Sequence, residues 1–224
     1  MPTRHVTTTA RGTVVGAVGG AVGGATTVMR YVTNGKDGWL DVKLEPSGKI
    51  VSLPQYLKVA FSERRDKRDY FKIEEGVHKG KNASVLQKSG DSSWLGKPRP
   101  IYRGPVNLTF KKREGKLITP IDTPAATTDS SNPISNGQHP VQLPDFPHAP
   151  GRGYVSQASI AMTWFYLGTG NAVPGKNDRY LHPGRISAGC VTVTDLSKWD
   201  SLYAVLILSR ASGGKNVGTI IVQS

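Results

Sequence analysis

One cysteine, Cys190, is all that 224 residues contain. An intrachain disulfide framework is therefore impossible, and so is a cysteine-rich zinc site. No histidine follows Cys190, although five stand elsewhere in the chain. That order excludes papain-like or NlpC-type hydrolases, in which the histidine comes after the nucleophile. Aromatic residues are few, at 8%, and hardly any stand among the basic ones. The chain also lacks a phosphate-cradling loop, because the glycines of residues 16–24 lie in an uncharged tract with no Lys-Ser/Thr after them. No long, strongly apolar run is present. The nearest to one, Gly12 to Met29, is 18 uncharged residues of which six are glycine. That length is the lower limit for a membrane-spanning helix, and glycine weakens both helix propensity and apolarity. A flexible Gly-rich segment, a membrane-active glycine zipper and a cleaved signal peptide remain open for it.

Acidic residues are short as well, 16 against 29 Lys and Arg, for a formal charge of +13. The imbalance is local. Residues 1–120 carry 22 basic and 10 acidic side chains, and residues 121–224 carry seven and six. A basic half that meets something anionic and a near-neutral half with another task fit this asymmetry. Nucleic acid, acidic lipid and bacterial cell wall all qualify as anions by charge alone, and a solvated polar surface accounts for the same residues.

Glycine (26) and proline (15) are plentiful, which favours turns and short strands over long helices. Trp39 to Leu44 alternates as a strand before the turn Pro46-Ser47-Gly48, and Leu53 to Asp69 reads as a basic amphipathic helix (Leu53, Leu57, Ala60, Phe61). From Tyr102 the layout is clearer. Val106–Phe110 and Lys116–Ile118 form a hairpin, and Thr119–Asn136 is a loop. Short apolar pieces follow at 139–143, 159–167, 180–182, 190–193 and 219–222, with one helix at 196–208. The expectation is a mostly β (α+β) chain: a Gly-rich segment 1–34, a basic accessory region 35–100 and a β-rich catalytic domain 101–224.

The densest group of reactive residue types runs from Tyr180 to Val193. Gly189 lets the backbone before Cys190 approach a ligand closely. Converging N–H groups there suit the oxygen of a tetrahedral intermediate. His182, eight residues before the cysteine, can return to it across Pro183-Gly184 and shuttle its proton. A small, inert core cysteine is the competing reading. His139 and His148 near Asp145 match no common metal spacing, and no metal or other cofactor is expected.

The run His182…Ser187-Ala188-Gly189-Cys190 resembles the signature of L,D-transpeptidases of the YkuD fold, a histidine upstream of Ser/Thr-His-Gly-Cys. Asn132 to His139 is similar to that family's Thr-Pro-x-Gly-x-Tyr segment, and Asp200-Ser201-Leu202-Tyr203 before an apolar strand to its ending. The likeness covers roughly residues 100–224. Ala188 stands where the family has histidine, and the His182–Cys190 gap is short. Both features look like the compact branch that includes type VI secretion effectors. The resemblance implies a YkuD-like β-sandwich or barrel with Cys190 as nucleophile, His182 as general base, and Ser187 and Gly189 shaping the oxyanion site. Arg185 and Arg179 are the candidates for substrate carboxylates, and Tyr180 and Trp164 for the cleft wall. It also implies a tetrapeptide stem of peptidoglycan as substrate, secretion or delivery into the bacterial periplasm, and an immunity protein and a secretion-system component as possible partners, with no nucleic-acid partner expected. The alternative is an inactive protein that binds cell wall or another anionic polymer, a reading that Ala188 favours.

Overall fold

The computed structural model describes residues 28–33, 37–88, 93–97, 99–169 and 177–224. The glycine tract therefore lies outside the described residues up to position 27. Its last two residues open a strand. Among the described residues no helix is long and apolar enough to cross a membrane.

Seven strands make the first sheet: β1 (Val28–Val32), β2 (Trp39–Glu45), β3 (Ile50–Pro54), β4 (Lys58–Arg65), β5 (Arg68–Ile73), β6 (Asn82–Leu86) and β7 (Leu95–Gly96), in the order β3-β2-β6-β5-β4-β1-β7. The alternation expected from Trp39 is β2, with Leu40, Val42 and Leu44 buried. The helix expected over Leu53–Asp69 does not form. Pro54 ends β3, Tyr56 takes a left-handed φ of 65°, and the chain restarts as β4. The reason lies in the spacing. Leu53, Leu57, Ala60 and Phe61 fit a helical stripe, but Leu57, Val59 and Phe61 fit a period of two equally well. The neighbours decide it: Val59 pairs with Ile73 and Phe61 with Phe71 across β5. Asp66 and Lys67, both at positive φ (50° and 58°), close that hairpin as a two-residue turn.

The remaining strands form two four-stranded sheets. One is β11-β15-β8-β9, from β8 (Val106–Lys111), β9 (Lys116–Ile118), β11 (Gly137–Gln142) and β15 (Asn216–Gln223). The other is β10-β14-β13-β12, from β10 (Ala126–Thr127), β12 (Phe165–Thr169), β13 (Asp178–Pro183) and β14 (Val191–Val193). The single α-helix among the described residues, α1 (Trp199–Ile207), follows a 3-10 turn at Leu196–Lys198 and buries Trp199, Leu202 and Leu206. The chain is thus mostly β, with sandwiched open sheets and, among the described residues, one α-helix. The loop Thr119–Asn136 contains the short β10. Of the piece 159–167, only Phe165 onward is strand. Ser159 and Ile160 instead donate their N–H groups to the Asp200 carboxylate at the start of α1.

All three sheets share one hydrophobic core, from Val32 and Leu57 to Leu181, Trp199 and Val222. Polar links join the first sheet to the rest. Trp39 Nε1 donates to Thr163 Oγ1 at 2.8 Å. Arg210 reaches Glu75 at 3.3 Å with both side chains buried, donates to the Tyr56 carbonyl, and lies 4.3 Å above the Tyr102 ring.

Candidate active site

β13 and β14 run parallel although only residues 184–190 connect them. Leu181 pairs with Val191 and His182 with Thr192, so the loop must fold back sharply beside the strand it has just left. Gly189 makes that possible. Its φ is +110°, and a Cβ there would run into the Asn132 carbonyl oxygen and come within 2.7 Å of the Arg179 guanidinium carbon. Ser187 ties the fold-back together: its hydroxyl accepts from the Gly189 N–H (3.2 Å) and donates to the Cys190 carbonyl (3.0 Å). Asn132 holds the outer side, with Nδ2 donating to the Ala188 carbonyl at 3.2 Å and Oδ1 accepting from Arg179 at 2.9 Å.

Cys190 emerges at the entry of β14 with its sulfur 3.4 Å from the Tyr180 backbone nitrogen. It is 8% exposed. Burial pushes its thiol pKa up; the Tyr180 N–H and the charge of Arg179 act against this, and Asp178 reinforces it. One strand step away, about 7 Å along β13, His182 is 5% exposed. Its Nδ1 donates to the Pro183 carbonyl (3.0 Å), which leaves Nε2 as the basic nitrogen, and Thr192 Oγ1 donates to it at 3.1 Å. Burial drives the His182 pKa down to about 4, partly opposed by the Pro183 carbonyl and assisted by His148. The imidazole is neutral at pH 7, and its hydrogen bonds go to Pro183 and Thr192. The sulfur and the imidazole are neighbours on adjacent strands without a bond between them. A catalytic contact of this kind often closes only when substrate arrives.

A column of stacked rings supports His182. Trp164 lies 4.3 Å from His182 on one side and 4.3 Å from His148 on the other, and Phe146 stacks on His148 at 4.4 Å. Asp145 anchors the column, accepting from His148 Nε2 and Tyr180 Oη, both at 3.0 Å. Trp164 is thus packed between two imidazoles and only partly buried, whereas Tyr180 faces a groove and backs onto Cys190. Arg185 is exposed on the fold-back loop beside Ile186, which is 80% exposed. Arg179 is 1% exposed, with its guanidinium under Gly189. It acts on the sulfur as a buried cation and does not present a clamp to solvent. Sequence reasoning missed Thr192, Asp145 and His148. Thr192 was within reach of it: two positions beyond Cys190 in a strand, it shares a face with residue 190.

The buried neutral histidine has a consequence for stability. Unfolded, it takes up a proton near pH 6.5; folded, only near pH 4. Between those values the unfolded chain binds more protons, so stability present above pH 6.5 is lost as the pH falls toward 4. The expected loss is roughly 3 kcal/mol by pH 4. Urea denaturation at pH 7.5 and pH 4 measures it, and His182→Gln is expected to remove this part of the slope.

No protein-family model matches the chain, and no curated protein matches it by sequence. Among solved structures, L,D-transpeptidase 1 of Mycobacterium tuberculosis is similar at 10% identity and a TM-score of 0.31, over 82% of this chain and 80% of that one. An L,D-transpeptidase from Mycobacterium tuberculosis H37Rv is similar at 12% identity and a TM-score of 0.32, with the same coverage. Likeness of that degree carries no argument about activity, which has to come from the residues themselves.

Proposed function

We propose that the chain is a peptidoglycan-modifying cysteine enzyme of the L,D-transpeptidase or L,D-carboxypeptidase type, acting on tetrapeptide stems in the periplasm of a target bacterium. The observation that carries this reading is the parallel register of β13 and β14. It sets Cys190 beside Tyr180 and His182 beside Thr192, with the imidazole held in the Nδ1–H tautomer.

With thiol and imidazole both neutral, proton transfer accompanies attack. The Cys190 sulfur adds to the carbonyl carbon of the third stem residue while Nε2 of His182 takes the thiol proton. The tetrahedral intermediate collapses by breaking the bond to the terminal D-alanine. The leaving amine receives the proton from His182, and a thioester remains. Water then yields a shortened stem and free thiol; an amine acceptor yields a cross-link or an exchanged terminus. The positive charge of Arg179 under the fold-back loop favours the negative charge that develops near the sulfur. A delivered antibacterial effector is the role that best fits such chemistry together with the compact His182–Cys190 spacing.

Mass spectrometry of muropeptides incubated with the protein tests the reading. Loss of a terminal D-alanine from tetrapeptide stems, or its exchange, is expected; stems left intact would overturn it. A second reading rests on the raised thiol pKa and the missing His182–Cys190 bond, which also describe a binding protein with an inert cysteine. Iodoacetamide separates the two: a catalytic Cys190 labels in the native state, and an inert one only after denaturation.

A further inference from the structure

A groove of about 730 Å³ opens between the first sheet and the Cys190 layer. Its walls come from distant parts of the chain: Lys79 from the loop after β5, Phe146 from the ring column, Tyr166 and Tyr180 from β12 and β13, and Lys215 before β15. The lip is pinned, because Gly76 N donates to the Gly214 carbonyl and Lys79 Nζ to the Gly213 carbonyl, both at 3.0 Å. Two carboxylates line it. Asp145 is fully engaged by Phe146 N, His148 and Tyr180. Asp178 is exposed, steadied at one oxygen by Tyr166 Oη at 3.2 Å. Asp178 stands two residues before Tyr180, whose N–H touches the sulfur, and its charge is felt at Cys190.

We propose that this groove seats the peptide substrate as a dipolar ligand, with Asp178 taking the side-chain ammonium of the residue whose carbonyl is attacked and Lys79 and Lys215 taking its terminal carboxylate. The assignment rests on the stem-peptide reading above. It makes Asp178 a specificity residue: a diamino acid at the third position is preferred over an uncharged isostere. An ammonium on Asp178 also removes the negative charge that opposes thiolate formation, so the sulfur is activated by the substrate it is to attack.

Calorimetric titration of the full chain carrying Cys190→Ala, which binds without turnover, tests the groove apart from the chemistry. The probes are synthetic tetrapeptides with lysine or norleucine at the third position, each as free acid and as C-terminal amide. The lysine peptide is expected to bind about tenfold more tightly than the norleucine peptide, and Asp178→Asn to erase that ratio. Amidation is expected to weaken binding, and to have no further effect in a Lys79→Ala/Lys215→Ala chain. An unchanged lysine-to-norleucine ratio in Asp178→Asn, an amidation penalty that survives loss of both lysines, or no binding of any peptide would each overturn the assignment. Binding as expected, with muropeptides left intact by the unmutated chain, would instead sink the enzymatic reading and leave the groove standing.

Discussion

Cys190→Ala is expected to cut D-alanine release from tetrapeptide stems by about a thousandfold or more, with the melting temperature within a few degrees of the parent. The activity loss follows because the sequence holds no second thiol, and the two nearest hydroxyls in the chain are committed, Thr192 to His182 Nε2 and Ser187 to the Gly189 N–H and the Cys190 carbonyl. The fold is retained because the bonds shaping the fold-back loop run through the backbone of 188–190 and the side chains of Ser187, Asn132 and Arg179. Only a small, already poorly hydrated sulfur is lost. D-alanine release at the parental rate from a folded Cys190→Ala chain would mean that another group attacks the peptide.

Gly189→Ala acts through the backbone. An added methyl meets the Asn132 carbonyl and the Arg179 guanidinium, and the residue would have to hold φ at +110°. Strain at such a φ and overpacking each cost roughly 1–3 kcal/mol, so a combined loss of about 4 kcal/mol is expected. Relief by shifting Arg179 would take its charge from the sulfur. The variant should therefore lose both stability and native-state alkylation of Cys190. A Gly189→Ala protein that melts with the parent and labels as fast would show that the loop has room for the added methyl.

Local alternation made much of the fold legible. β2 and β8 follow from residues that satisfy a period of two and no other, β15 from the short apolar piece at 219–222, and α1 from Leu196, Trp199, Leu202 and Leu206 at helical spacing. Residues 53–69 misled because their apolar positions satisfy both periods, and only pairing with Phe71 and Ile73 decides between them. The fold-back was half visible, since Ser187 and Gly189 announce a turn while nothing local says that the returning strand will run parallel to β13. Arg179 was misplaced because a charged side chain reads as surface from the sequence, yet Asn132, which receives its guanidinium, stands 47 positions away. The ring column and the groove depend on such distant meetings and left little local trace.

Arg210 serves both halves of the chain at once, gripping Glu75 and Tyr56 in the first sheet and the carbonyls of Ile207 and Ser209 at the end of α1. A buried cation so fully engaged is costly to uncouple, and it holds the two sides like the rivet of a pair of callipers locked at one gauge. The width of the groove that Lys79, Tyr180 and Lys215 line is then fixed when the chain folds, and a peptide too thick for it finds no jaw to pry apart.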